Sequence, residues 1–249
     1  MNFYFSVHPK RAQAQEICAE LRALLTQKGH CITEDAHSAD FAVAIGGDGT
    51  VVEAFRRCSA PILGINAGTL GYLPRVEPEK AREAVLDLLE GRFTLENRMT
   101  LTCTVSGQPA GIALNEAALL KPGVAPIRFS VSVDGIELMR YTADGMIAAT
   151  PTGSTGYSLS AGGPIVEPTA EMLILTPVSP HTLVNRPVVL SAASVVTFCC
   201  ESDATISLDG SPCPLKADTP FTVRASRTPM RFVCFEQESF LSRLRKKLT

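Results

Sequence analysis

The residues best placed to do chemistry are an aspartate set among glycines, Gly46-Gly47-Asp48-Gly49-Thr50. This turn follows a short apolar run, Phe41–Ile45, and precedes a helical pattern, Val51–Cys58. Glycines on both sides of the acid permit backbone torsions that side chains forbid, and they let a phosphate chain approach the peptide N–H groups. The helix start adds partial positive charge. Neither G-x-G-x-x-G nor a Gly-Lys-Ser/Thr phosphate loop is present. A carboxylate repels bare phosphate, so Asp48 is expected to face a hydroxyl or a metal. That suits a group accepting the proton of an attacking hydroxyl. The same segment also reads as an ordinary Asp-Gly turn between strand and helix.

Two further segments carry chemistry. Asn115-Glu116 is a polar pair inside the apolar stretch Gly111–Leu120. An amide can read an adenine edge and a carboxylate can hold ribose hydroxyls; the pair equally fits a solvent-facing strand end. Asp144–Pro164 begins as an apolar strand and opens at Thr150 into a loop dense in Thr, Ser and Gly with a lone Tyr157. Small hydroxyl residues and glycines let a backbone lie close to a ligand. The alternative is a flexible surface linker, against which stand the apolar flanks and the absence of charge.

Two textures of sequence position these segments. From Met1 to about Asn97, apolar strands (Asn2–Val7, Phe41–Ile45, Pro61–Ile65) alternate with helical patterns (Arg11–Lys28, Val51–Cys58, Glu79–Glu90). Gly29 is expected to cap the first helix. Such alternation predicts an α/β domain with a parallel sheet, residues 1–97. From about Arg98, short alternating strands with turn signals at Asp134-Gly135 and Asp209-Gly210 predict an all-β, sandwich-like domain. Its strands are expected at Leu101–Val105, Ile127–Val133, Ile147–Thr150, Leu173–Thr176, Val188–Leu190, Val195–Cys199, Thr205–Leu208, Phe221–Val223 and Phe232–Phe235. That domain is read as 98–235. Residues 236–249 form a short basic tail or helix, expected to pack back on the first domain.

Composition narrows the class. The 249 residues are 45% hydrophobic with a formal net charge of −2, so a core can form without staples and no basic excess points to nucleic acid. No apolar run reaches the length of a membrane span and the N-terminus lacks signal-peptide order; no membrane partner and a cytoplasmic location are expected. The eight cysteines make no C-x-x-C pair and the four histidines lack zinc-ligand spacing with them. Free thiols and no protein metal site are expected.

Taken together, GGDGT (Gly46–Thr50), Asn115-Glu116, and Asp144-Gly145 with Thr150–Tyr157 and Ser160–Pro164 resemble the NAD kinase family. Its superfamily also includes diacylglycerol kinases and 6-phosphofructokinases. Gly64-Ile65-Asn66, Leu70-Gly71-Tyr72-Leu73, His181–Pro187, Asp209-Gly210 and the segment from Ser239 to Leu248 fit the same pattern, so the resemblance spans nearly the whole chain. The long third motif is more specific than GGDGT, which lipid kinases share.

The resemblance implies ATP-dependent phosphorylation of NAD at the adenosine 2′-hydroxyl. Asp48 would orient that hydroxyl and take its proton late, since a carboxylate is a weak base toward an alcohol. Gly46, Gly47, Gly49 and Thr50 would surround the phosphates. Asn115 and Glu116 would contact adenosine and ribose, and Asp144 the nicotinamide half. Thr155, Gly156, Tyr157 and Ser160 would line the dinucleotide pocket, with Tyr72 and Gln237 at its rim. A divalent cation, Mg²⁺, would accompany ATP; inorganic polyphosphate is a donor for some members. A homodimer or homotetramer is implied, in which a neighbouring subunit can complete the site. Two positions depart from the family pattern: Gly156 stands where alanine is usual, and Pro74-Arg75 replaces a small residue and an acid. The competing expectations are a lipid kinase, toward which Glu53 leans, and a non-catalytic NAD-binding regulator.

Overall fold

A computed structural model describes residues 1–67, 71–181, 186–235 and 240–248, without the side chains of 243 and 246–248. The first elements are β1 (Asn2–Val7), α1 (Ala12–Gln27), β2 (Cys31–Thr33), β3 (Phe41–Gly46), α2 (Asp48–Arg57), β4 (Ile62–Asn66), α3 (Ala81–Leu89) and β5 (Thr94–Arg98). Twelve strands follow: β6 (Leu101–Val105), β7 (Gln108–Ala113), β8 (Glu116–Leu120), β9 (Ile127–Val133), β10 (Ile136–Ala143), β11 (Gly145–Ala149), β12 (Met172–Val178), β13 (Val188–Ser191), β14 (Val196–Cys200), β15 (Ala204–Leu208), β16 (Ser211–Leu215) and β17 (Phe221–Ala225). A one-turn helix, Tyr157–Ser160, lies between β11 and β12, and β18 (Met230–Cys234) and a terminal helix, Phe240–Leu248, close the chain. The chain divides into two units, Met1–Asn97 with Met230–Thr249, and Arg98–Pro229.

The first unit is built on one sheet, ordered β2-β1-β3-β4-β18-β5. Its strands from β2 to β18 pair in parallel. Helix α1 buries Ala14, Ile17, Cys18, Leu21, Leu24 and Leu25, the i, i+3, i+4 stripe that turns one face to a sheet. Together with Val85 and Leu88 of α3, it closes over Phe3, Val43, Ile45, Leu63 and Ile65. Strand alternation puts Ala42 and Ala44 on the opposite face of β3. Their small side chains leave room for α2, which packs on β3 and β1. Gly29, at φ 78°, follows the C-cap of α1 as its spacing predicts.

Two sequence expectations are corrected here. Helix α2 begins at Asp48, not Val51: Gly47 takes the extended N-cap conformation and Asp48 becomes the first helical residue. The expected strand Phe232–Phe235 is Met230–Cys234, and it leaves the sandwich to pair with β4, Phe232 opposite Ile62. Periodicity alone cannot name a strand's partner; burial of Phe232, Val233 and Cys234 on both faces marks an internal strand of the parallel sheet.

The second unit is a sandwich of two six-stranded antiparallel sheets, β10-β9-β14-β17-β6-β7 and β13-β12-β11-β8-β15-β16. Phe129, Val131, Phe198, Phe221 and Val223 of one sheet interleave with Leu119, Met146, Leu173, Leu175 and Ile206 of the other in a shared core. Ala118, Ile147, Ala149 and Ile174 on the far face of the second sheet are also buried, under Ala161 and Val166. Burial on both faces explains the continuous apolar run Met146–Ala149. Asp134-Gly135 and Asp209-Gly210 both have positive φ at the two residues, as two-residue hairpins require.

Candidate active site

In the first unit the chain seats segment 71–76 on the end of β4. The N–H groups of Arg75 and Val76 donate to the Gly64 carbonyl at 3.1 Å, and Asn66 N–H donates to the Val76 carbonyl at 2.7 Å. A Cβ at Gly64 would stand 2.9 Å from the Pro74 Cα, so this approach needs glycine. The seated segment turns two N–H groups toward the start of α2. Asp48 Oδ1 accepts from Tyr72 N–H at 2.8 Å and Leu73 N–H at 2.9 Å, and Oδ2 more loosely from Tyr72 N–H at 3.1 Å. The carboxylate is thereby fixed in direction, with lone pairs of Oδ2 left over. Burial and the Asp48 charge both raise the Tyr72 phenol above its ordinary range.

Gly47 and Gly49, which flank Asp48, line a cavity of about 390 Å³ together with Ser6, His8, Arg11 and Thr50, while the Asp48 carboxylate itself is turned to segment 71–76 and is not on that lining. The expected unusual torsions are absent: Gly46, Gly47 and Gly49 all have φ outside the positive region. Their reason is space. A Cβ on Gly46 would crowd Thr50, whose Cβ is 2.8 Å away, whereas nothing stands within 4 Å of a Cβ on Gly47 or Gly49. Those two glycines keep peptide groups bare at a helix N-terminus, a setting for anionic oxygens. Arg11 Nη1 donates to the Ala67 carbonyl at 2.8 Å, which steadies its charge at the rim. Glu53, also on the lining, is paired with Arg57 at 2.7 Å.

Arg75, one of the departures from the family pattern, points away from this cavity. It forms a two-toothed pair with Glu96, one contact at 3.0 Å, and Nη1 also reaches Cys234 Sγ at 2.8 Å. It therefore clamps segment 71–76 to β5 and β18. Both side chains are under 20% exposed, so Arg75→Ala should lower unfolding free energy by about 1–3 kcal/mol in urea denaturation.

In the second unit, β8 and β11 are neighbours with Glu116 opposite Ala149. That register brings Asn115-Glu116 beside Thr150. Thr150 N–H donates to the Asn115 carbonyl at 2.8 Å and its hydroxyl to the Leu114 carbonyl at 2.7 Å, while Gly153 N–H donates to that hydroxyl at 3.0 Å. The loop is no linker. Residues Thr152–Thr155 form a 3₁₀ turn, followed by the helical turn Tyr157–Ser160. Its hydroxyls divide in two. Thr150, Thr152, Ser154 and Ser158 are buried and spent within the protein, Thr152 on Arg98 and Ser158 on Thr176. Thr155, Tyr157 and Ser160 are half-buried or exposed.

Glu116 is the anomaly of this corner. Its Oε2 is closed off from solvent and has no hydrogen-bond partner. Burial first, then the Asp209 charge, push its carboxyl up to about 7. Gly156 lies against it: a Cβ there would stand 3.2 Å from Oε2. Burial, then the charges of Asp144 and Glu116, raise the Tyr157 phenol, so Tyr157 lies within electrostatic reach of both acids. Asp144 is paired with Lys121 at 2.7 Å. Gln237 lies outside the described residues. The sequence reading did not give Asp209 a role at this corner; only its place in a hairpin turn was visible.

The model of the ATP-NAD kinase N-terminal domain matches residues 4–93 and that of the C-terminal domain residues 114–235. An NAD kinase of Gemmatimonas aurantiaca is 40% identical over 90% of this chain and 82% of its own length. One of Geobacter sulfurreducens is 37% identical over 98% of this chain and 96% of its own. Among solved structures, an NAD kinase from Archaeoglobus fulgidus in complex with ATP has a TM-score of 0.81 at 29% identity, over 99% of this chain and 96% of that one. Yeast NADH kinase complexed with NADH has a TM-score of 0.93 over 100% of this chain and 87% of that one; at 22% identity it speaks to the fold. With both halves matched and relatives aligned over nearly its full length, this chain belongs to the ATP-NAD kinase family.

Proposed function

We propose that this protein phosphorylates NAD at the 2′-hydroxyl of its adenosine ribose, taking the γ-phosphoryl group of ATP and releasing NADP and ADP. The observation that carries the reading is the Asp48 carboxylate, held by two backbone N–H groups at the start of α2, between two glycines that line a cavity. The ribose hydroxyl donates to Asp48, which sets it in line with the γ-phosphate and accepts its proton as the bond to phosphorus forms. ATP, entering as its magnesium complex, lays its triphosphate along Gly47, Gly49 and Thr50, where the helix N-terminus and Arg11 offset its charge. Asn115 and Glu116 hold the adenosine; Thr155, Gly156, Tyr157 and Ser160 line the dinucleotide; Asp144 serves the nicotinamide half, with Tyr72 at the rim. Assembly as a homodimer or homotetramer belongs to the same reading, as does a cytoplasmic location. Among the described residues no helix is long and apolar enough to cross a membrane.

The test is one assay with separate arms. Purified protein is incubated with Mg²⁺–ATP and NAD, and NADP is measured with an NADP-specific dehydrogenase. Polyphosphate replaces ATP in a second arm, NADH replaces NAD in a third, and diacylglycerol is the acceptor in a fourth. NADP formation is expected. NAD binding without turnover would make the protein a regulator, and phosphatidate formation would make it a lipid kinase.

A further inference from the structure

The corner Leu114-Asn115-Glu116 is held by one side chain from the neighbouring hairpin. Asp209 sits in the turn between β15 and β16, and its carboxylate accepts three successive backbone N–H groups. Leu114 N–H reaches Oδ2 at 2.7 Å, and Asn115 and Glu116 N–H reach Oδ1 at 2.8 and 3.0 Å. Asp209 N–H returns a bond to the Glu116 carbonyl at 3.0 Å. Three donors converging on one carboxylate fix the direction in which the chain leaves β7 and enters β8. They also anchor a negative charge beside the closed-off Glu116 Oε2.

We propose that Asp209 is a positioning residue for the NAD reaction: it orients Asn115-Glu116 and sets the charge state in which Glu116 meets the ribose. The inference rests on the reading of Glu116 as a contact for the adenosine moiety. A carboxylate serves a sugar best when ionised, accepting from its hydroxyls. Burial and the Asp209 charge both oppose that ionisation. Among the described residues, two titratable groups act on or with Glu116. Asp209 comes from the β15–β16 turn and Tyr157 from the turn after β11; β11 and β15, the strands flanking β8, carry no titratable side chain. Cys103, near Asp209, is held protonated, with its thiol pushed up to about 12 by burial and Asp209. Asp144, whose charge bears on Tyr157, is paired with Lys121.

The sign follows. NAD affinity is full where Glu116 is ionised and falls as pH drops through about 7, by about tenfold per pH unit once protonation is complete. Removing the Asp209 charge lets Glu116 ionise more readily, so the inflection moves to lower pH. The experiment is NAD binding by calorimetry from pH 5.5 to 8.5 without ATP, in wild type, Asp209→Asn, Asp209→Glu and Glu116→Gln. Asp209→Asn should shift the inflection down. Asp209→Glu, which keeps the charge but displaces the corner, should weaken binding at every pH with the inflection nearly in place. Glu116→Gln should flatten the profile. An unmoved inflection in Asp209→Asn, or a profile that persists in Glu116→Gln, overturns the inference. Should Asp209→Asn fail to fold, wild type still decides: pH-independent affinity between 6 and 8 overturns it. The reading of the protein as an NAD kinase stands or falls separately, on NADP formation.

Discussion

Asp48→Asn is expected to lower kcat for NADP formation by about 10²–10⁴-fold, the span of a positioned acid–base group, with NAD affinity little changed. The substitution is informative because of how the carboxylate is held. Oδ1 takes both short bonds, from Tyr72 and Leu73 N–H, and an asparagine carbonyl can keep them. The amide then replaces Oδ2, which carries only the longer 3.1 Å contact. The frame survives while the charge and proton acceptor are lost. If Asp48 merely stitched segment 71–76 to the start of α2, the variant would retain most of its turnover. Steady-state kinetics in both substrates, beside a thermal melt, distinguishes the two outcomes, and a fully active Asp48→Asn enzyme would remove Asp48 from the chemistry.

The second large effect is expected at Gly153. A Cβ there would come within 2.7 Å of the Asn115 Cα and nearer still to its carbonyl. These are backbone atoms, which cannot rotate aside. The corner itself cannot retreat easily, since Asp209 grips its three N–H groups from the other direction. Gly153→Ala must therefore push the 3₁₀ turn off the corner and strain the bond from Thr150 N–H to the Asn115 carbonyl. Overpacking of this kind costs about 1–3 kcal/mol of stability. A displacement near 1 Å at a ligand-holding corner lowers kcat/KM for NAD by roughly 10²-fold. Gly47→Ala is the natural control, since a Cβ there meets nothing within 4 Å; its fold should be unaffected. A Gly153→Ala enzyme with wild-type kcat/KM would show that the corner does not hold the dinucleotide.

Much of the frame was legible because burial writes itself into apolar periodicity. The stripe Ile17, Leu21, Leu24, Leu25 announced α1, and the two-residue turns at Asp134-Gly135 and Asp209-Gly210 announced hairpins. Besides β2 and β8, the strands that escaped notice were β5, β7 and β16, which lie at sheet edges with mostly exposed residues, and proline stands in two of these three. They have neither alternation nor β-branched runs to read. The partner of β18 was hidden for a different reason: pairing is a long-range property that local pattern does not carry.

The site divides in the same way. Asp48 was visible as an acid among glycines, but the N–H groups of Tyr72 and Leu73 that aim it are main-chain atoms some 25 residues away, without a side-chain signature. The hydroxyl-rich loop was visible as a whole; which hydroxyls face inward was not, because that depends on the seating of Thr150 and Ser158 against β8 and β12. Of the residues given ligand roles in this loop, Thr155 spends its hydroxyl on the Thr152 carbonyl at 3.4 Å, while Tyr157 and Ser160 are exposed. Arg75 stood out as a departure without an explanation, which its pairing with Glu96 supplies.

Strand β18 has a consequence for synthesis. It fills the place between β4 and β5 in the first sheet, yet its residues follow the entire second unit in sequence. While the ribosome is still making residues 98–229, β4 and β5 are both complete and both lack their shared neighbour. The nascent chain thus carries two open strand edges for the whole time needed to translate a sandwich of twelve strands. Such edges are templates for pairing with other chains, so this enzyme is exposed to misassembly during translation more than after it, and the last strand to emerge is the one that closes the sheet.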